Sequence, residues 1–427
     1  MNGKSTLSGK PAFEILRIRD YLLYTIGRLI GSLCQRMMIV AVGWELYERT
    51  RSSLALGLVG LVNMVSLVGL TMPAGHLADN YNRKRIIFWS TILIGLGNLG
   101  LAFVSAIRAP VQWSYAFLLL VAAARTFLWP ASAAFVVSLV PQQHFAYAVT
   151  WNTVTFQLAS VIGPAVGGAL LALFGHFCQS PAALVFFINA IGSVITATLV
   201  ALIKKSHFVQ NREPMTVKSL VTGFKFVISH RLILAMLTLD LFAVLFGGAV
   251  ALLPVYARDI LHVGPVGFGL LESATPIGAI ICALILAQLP PFERAGITLL
   301  RAVAVFGLSI IVFGLSRNFW VSFLALVISG AVDNISVVIR HTSVQLLSPD
   351  DKRGRVSAVN SLFIGTSNEL GAFESGVVAH YFGPTFSVVS GGIATLLVVL
   401  AVSWIWPEIR RYGRLVATTP GSGNSGA

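Results

Sequence analysis

The sequence predicts an all-α integral membrane protein with twelve transmembrane helices in two pseudo-symmetric six-helix bundles. Three observations carry this expectation. Of the 427 residues, 56% are apolar and only 11% charged, whereas soluble domains average about 25% charged. A water-facing surface of ordinary composition is therefore excluded, and the mean hydropathy of +0.83 agrees. Apolar stretches of crossing length recur along the whole chain; a dozen of them, at roughly 22 residues each, use about 264 residues. Finally, one polar break near the middle leaves six stretches on either side.

Charged and turn-forming borders delimit the stretches in order: 21–47, 55–76, 86–106, 112–139, 146–173 and 181–203, then 232–256, 266–288, 297–316, 319–347, 356–382 and 386–406. Residues 1–20 form a polar, basic leader to the first span, too polar for a cleavable signal, and the span after it carries Arg28 and Arg36. Within the break at 204–231, Val217, Leu220, Val221, Phe224, Val227 and Ile228 recur at helical spacing, with Lys218, Thr222, Lys225 and Ser229 on the other face. That pattern predicts an amphipathic helix lying on the membrane surface and joining the bundles 21–203 and 232–406. The tail 407–427 ends in a Gly- and Ser-rich run that buries nothing and is expected to be disordered.

The net charge of +14 raises the question of a nucleic-acid partner. The distribution answers it. With the amino terminus inside, the cytoplasmic segments take most of the Lys and Arg, while the outer segments hold Arg49, Arg51, Arg108, Arg258 and Arg317. Topology accounts for the charge, and both termini and the central linker are expected in the cytoplasm of an inner (plasma) membrane protein. Trp44, Trp89, Trp113, Trp320, Trp404 and Trp406 fall near span ends, where an aromatic belt belongs. Cys34, Cys178 and Cys282 offer no disulfide framework. No metal-ligand cluster or cofactor is expected, and Gly3-Lys4-Ser5-Thr6 lacks the upstream glycine and strand of a phosphate-binding loop.

Two motifs carry more. The loop after the second span reads Gly75-His76-Leu77-Ala78-Asp79-Asn80-Tyr81-Asn82-Arg83-Lys84-Arg85. Gly75 is expected to let two helices meet, Asp79 to accept bonds from free amides of a neighbouring helix, and Arg83 and Lys84 to hold the turn at the cytoplasmic face. Asn82 is expected to tolerate a left-handed turn. In the fifth span, Gly163-Pro164-Ala165-Val166-Gly167-Gly168 combines a kinking proline with residues small enough for close helix contact, as do Gly27 and Gly31 in the first.

The first motif resembles the signature loop of the major facilitator superfamily, and the second its antiporter motif. Leu56-Gly57-Leu58-Val59, the run from Lys218 to Phe226, Leu253-Pro254 and Arg353-Gly354-Arg355-Val356 are similar to the branch of enterobactin exporters and macrolide-efflux proteins. The resemblance implies the major facilitator fold and a rocker-switch secondary carrier, usually an exporter driven by proton exchange.

Ionisable residues at mid-bilayer cost at least about 2.5–3.5 kcal/mol and are functional candidates by default. Arg36, Arg125, Asp333 and Glu369 lie near span centres, and Asp240 slightly to one side of one. Glu369 is the first candidate for proton exchange, followed by Asp240 and Asp333. Arg36 and Arg125 suggest a basic wall for an anionic or catechol-type ligand, with Gln35, Trp151, Asn152, Trp129 and Phe156 as further lining; the bland alternative has the two arginines neutralising Asp240 and Glu369. Arg28, Arg340, Glu45, Glu272 and Glu374 lie nearer span ends, where long side chains reach water. The expected function is export of small organic molecules, siderophore or drug-like, coupled to proton antiport by a monomer in the lipid bilayer, without a nucleic-acid partner or enzymatic activity. A lipid or metabolite carrier, or a transporter-like sensor, are the alternatives.

Overall fold

A computed structural model describes residues 14–205, 217–290 and 292–413. The beginning of the leader, part of the linker and the expected disordered end lie outside them. The described residues are helical throughout, with no strand. The helices are α1 (Arg19–Thr50), α2 (Ser53–Asn80), α3 (Arg83–Ala106), α4 (Gln112–Leu139), α5 (Phe145–Gly175), α6 (Pro181–Ala201), α7 (Val217–Ser229), α8 (Arg231–Phe246), α9 (Gly264–Leu286), α10 (Ala295–Leu315), α11 (Phe319–Leu347), α12 (Asp350–Phe382) and α13 (Pro384–Ile405).

Eleven helical segments among the described residues are long and apolar enough to cross a membrane. The remaining expected span, the eleventh in order, is α12. Its 33 residues reach about 50 Å, against a hydrocarbon core of about 30 Å, but Asn360, Thr366, Ser367, Asn368, Glu369 and Glu374 make it the most polar. Trp89, Phe103, Leu284, Leu400 and Trp404 are exposed, an outer surface suited to acyl chains. Helix ends follow local chemistry. The Asn318 side chain accepts bonds from the amides of Trp320 and Val321 at 2.9 and 3.3 Å, and proline opens both α6 and α13.

The chain divides into two compact units, Met1–Met215 with Leu253–Ser273, and Thr216–Leu252 with Ala274–Ala427. In the first, α1 packs on α5 and α6, α2 on α4, and α3 on α4 and α6. In the second, α8 packs on α12 and α13, and α10 on α11 and α13. Counting spans within each half, first–fifth, first–sixth, third–fourth and third–sixth pairings recur, as expected of an internal repeat. Tyr21, Ile87, Phe135 and Leu139 centre a core in the first unit, and Met236, Leu239, Leu299 and Ile339 one in the second. Amphipathic α7 rests on the second unit through Val227, which is buried with Val344 and Val356, and leaves Val221, Phe224 and Ile228 exposed.

The seventh span departs from a simple rod. It breaks after Phe246 and resumes as a 3-10 turn (Ala249–Leu252), a short helical turn (Leu253–Val255) and a π turn (Tyr256–Ile260). Gly247 and Gly248 sit at the break, and a Cβ at Gly248 would come within 2.6 Å of the Gly371 carbonyl, so close backbone approach requires glycine there. The part from Leu253 onward, with the start of α9, belongs to the first unit.

Candidate functional site

The first unit contains a cavity of about 150 Å³ whose lining includes Arg28, Ser32, Gln35, Arg36, Asn98, Arg125, Trp129 and Phe156. Helical periodicity explains the α1 contribution, since positions 28, 32 and 36 are successive i, i+4 steps on one face. Among the described residues lining it there is no carboxylate. Arg36 places its guanidinium 5.1 Å from the centroid of the Phe156 ring, close enough for a cation–π contact. Glu272 of α9 and Arg125 of α4 are its charged neighbours. Glu272 is not one of the two acids that the alternative reading offered the arginines, and depth along its span placed it nearer an end.

Of the expected lining, Gln35, Arg36 and Arg125 border this cavity together with Trp129 and Phe156. Trp151 and Asn152 do not. Trp151 packs against the core formed by Tyr21, Phe135 and Leu139, and Asn152 is half-buried with a buried Oδ1. Position along a helix fixed their depth but not which way they face.

The glycine–proline motif of α5 sets the position of Arg36. A Cβ on Gly163 would lie 2.5 Å from the Arg36 Cβ, and one on Gly167 would lie 3.1 Å from the Met37 Cα. A Cβ on Gly168 would lie 3.1 Å from the Gly269 Cα and closer still to the Pro265 carbonyl, so α5 carries α1 on one side and α9 on the other. Pro164 is buried between them, and Ser273 Oγ donates to the Val161 carbonyl at 2.7 Å. A Cβ on Gly27 or Gly31 would meet Thr196 of α6 at 3.6 and 3.7 Å, ordinary contact distances.

In the second unit, Arg340 of α11 forms an ion pair with Asp240 of α8. The expectation that Arg340 reaches water near a span end is corrected: the residue is 2% exposed, because a buried carboxylate one helix away holds it more favourably than a long reach outward. Asp333 lies two turns before Arg340 on α11, within electrostatic reach of both Asp240 and Arg340, and a cavity of about 10 Å³ borders Asp240, Asp333 and Ser336. One cation thus serves two acids. Glu369 is half-buried on α12.

The signature loop also departs from expectation. A Cβ on Gly75 would meet nothing within 4 Å, so this glycine mediates no close helix contact. Asn82 is not left-handed (φ −64°, ψ 108°); it caps α3 by accepting from the amides of Lys84 and Arg85. The basic pair does tie the turn down. Arg83 donates to the carbonyls of Ala78 and Ala134 at 3.2 and 3.3 Å, and Lys84 to those of Ala201 and Ile203 at 2.9 and 2.5 Å. These are cations on the carbonyl ends of α2 and α6, where the helix dipole favours them.

A further charge cluster was not anticipated. Arg258 pairs with Glu48 and lies 5.8 Å over the Trp44 ring; Tyr47 donates to Asp259, which also meets Arg51 at 3.4 Å. Trp44 in turn stacks on Phe268 with ring centroids 6.2 Å apart. The cluster anchors the π turn of the seventh span to the end of α1. Its signal in the sequence was the run of two acids and two bases, Glu45, Glu48, Arg49 and Arg51, together with Arg258-Asp259, which reads as solvated loop charge until the two segments are seen together.

Solved structures of known transporters share this fold. A bacterial homologue of the human lysosomal transporter Spinster, in an inward-facing conformation, matches with a TM-score of 0.69 at 16% identity over 95% of this chain and 98% of its own. A peptide transporter POT matches at 0.71, 15% identity, 92% and 95%. Those neighbours show that the chain has the major facilitator fold. A family profile described as transmembrane secretion effector matches residues 12–410. The chain belongs to that family, within the major facilitator superfamily. Among curated relatives, the enterobactin exporter EntS of Citrobacter koseri is 28% identical over 419 residues, covering 96% of this chain and 95% of the relative. The EntS of Shigella flexneri is 27% identical over 416 residues, with the same coverage.

Proposed function

We propose that this protein exports small anionic organic molecules, siderophore or drug-like, by alternating access of its two six-helix halves in exchange for protons. The observation that carries the reading is the cavity in the first unit, where Arg28, Arg36 and Arg125 converge without a lining carboxylate. Guanidinium groups offer forked donors suited to carboxylates and other oxyanions, and apolar walls raise the strength of each such contact. The name of the relatives, enterobactin exporter, supports a siderophore-type cargo moving outward.

Coupling falls to the buried and half-buried carboxylates of the second half. Glu369, Asp240 and Asp333 are the groups that load and release protons, with Arg340 paired to Asp240. One charge crossing about 150 mV releases about 3 kcal/mol, enough to hold roughly a hundredfold cargo gradient. The excess of inner Lys and Arg sets both termini in the cytoplasm, which puts the Glu48–Arg258 cluster at the outer face. The working unit is the monomer.

Inside-out vesicles test the reading. With an acidic lumen, protons leave as cargo enters, so a labelled anionic siderophore should accumulate, the accumulation should collapse with a protonophore, and Glu369→Gln should abolish it. Accumulation indifferent to the gradient would remove proton exchange, and none for any anionic cargo would remove the export reading.

A further inference from the structure

The cavity of the first unit carries information about the cargo beyond its sign. Arg28 donates through Nη1 to Tyr24 Oη at 3.2 Å, but its Nε is buried without a partner. Asn98 of α3 is 2% exposed. Its Nδ2 donates to the Ile94 carbonyl at 2.9 Å, and its Oδ1 is buried without a partner. Both residues line the cavity. Buried polar groups in a folded protein are almost always satisfied, and each that is not calls for an explanation. Here a cationic donor and a neutral acceptor, both unmet, border one cavity.

A ligand that satisfies both has an anionic acceptor for Arg28 and a hydrogen-bond donor for Asn98. Size narrows the choice. A cavity of 150 Å³ is the size that admits a single benzene ring in an apolar protein interior. Val121, Leu128 and Ile94 supply apolar wall, and the exposed aromatic faces of Trp129 and Phe156 stand among the lining residues. The charged groups facing Arg36 are Arg125 and Glu272; the latter is not among the lining residues and leaves Arg28 and Arg125 free for an anion.

We infer that this cavity is a binding site for one hydroxylated aromatic acid ring: the acid held by Arg28 and its neighbouring arginines, the ring hydroxyl donating to Asn98 Oδ1. The inference rests on the reading of Arg36 and Arg125 as cargo contacts and specifies what part of the cargo they hold. A larger cargo would enter it one ring at a time, with the remainder outside.

The test is equilibrium binding to the full-length protein in lipid nanodiscs, with four probes: 4-hydroxybenzoate, benzoate, methyl 4-hydroxybenzoate and cyclohexanecarboxylate. Wild type should bind 4-hydroxybenzoate saturably, benzoate about five- to tenfold more weakly, and the uncharged ester and the non-planar acid weaker still. Asn98→Ala should erase the preference for 4-hydroxybenzoate over benzoate while leaving benzoate affinity within about twofold. Arg28→Gln should weaken both acids at least tenfold and leave the ester unchanged. A double variant of Arg28 and Asn98 that remains monodisperse, with a wild-type unfolding midpoint, guards against misfolding as the cause. Equal binding of acid and ester, a hydroxyl preference that survives Asn98→Ala, or no saturable binding by wild type would overturn the inference. Vesicle transport separates the two readings. The ring site fails alone if siderophore export is unaffected by both substitutions, and export fails alone if the probes bind as described but no cargo moves.

Discussion

Substituting Arg340 by Met leaves Asp240 without its cation. Arg340 and Asp240 side chains are 2% and 8% exposed, so solvent does little to replace either partner. Opposite unit charges about 4 Å apart attract by about 4 kcal/mol at the effective dielectric of 20 that suits protein sites. Removing one member of such a pair costs about 3–5 kcal/mol, mostly the penalty of the charge left behind. Asp333 adds to it, because the two acids then face each other without the cation they share. At about 2–4 °C per kcal/mol for a unit of this size, the unfolding midpoint of the purified protein should fall by roughly 6–20 °C. The double variant Asp240→Leu with Arg340→Met removes both charges at similar volume and should recover most of the loss. Fluorescence-monitored thermal unfolding in one detergent reads both. A single variant within about 2 °C of wild type, roughly 1 kcal/mol, or a double variant no better than the single, would refute the pairing as described.

Gly163→Ala forces a Cβ to 2.5 Å from the Arg36 Cβ, so it should cost about 1–3 kcal/mol of stability through overpacking and weaken cargo binding by shifting Arg36; Gly75→Ala, with open space around it, should be neutral or stabilising by about 0.5–1 kcal/mol. Thermal unfolding beside a binding isotherm separates the two. Asn82→Ala removes the cap of α3 and should cost about 1 kcal/mol, and hydrogen exchange should locate the loss in the first turn of that helix. A double-mutant cycle of Glu48→Gln and Arg258→Gln should give a coupling of about 0.2–1 kcal/mol, because Glu48 is 45% exposed; a value near zero at low salt would dissociate the pair from the anchoring of the seventh span. The Glu408 carboxyl is held below its ordinary range by its own backbone amide at the start of the Glu408–Arg411 turn and then by Arg231. A lowered folded-state pKa stabilises above the unfolded value and is lost as pH falls through the folded one. Relative to the intrinsic exchange rate at each pH, protection of the amides at 408–411 should therefore be present at neutral pH and lost as pH falls below the ordinary carboxylate range, and Glu408→Gln should flatten that dependence.

The span positions were legible because lipid imposes a strong, local rule: a backbone that crosses must be helical and apolar over a fixed length. Expected limits such as 112–139 and 319–347 coincide with α4 and α11. The break after Phe246 was not legible. Gly247 and Gly248 sit in an unbroken apolar run, and what opens the helix is the tertiary approach of α12 at Gly371. Charge depth was legible and charge partnership was not. Arg340 and Asp240 are a hundred residues apart in the chain, and only the packing of α11 and α8 in three dimensions selects one acid over another. The same holds for Arg36 and Glu272. In the signature loop, the residue types were informative but their roles shifted: Asn82 acts through its side chain as a cap rather than through backbone freedom, while Arg83 and Lys84 do secure the turn.

The convergence of arginines in the first unit is tested most directly by transport of a labelled anionic siderophore in proteoliposomes made with wild type, Arg36→Gln and Arg125→Gln. Each variant should lose at least about tenfold in initial rate while keeping its size-exclusion profile, and an uncharged cargo of similar size should show no such loss. Wild-type rates for the anion in both variants would contradict the assignment of this cavity to cargo.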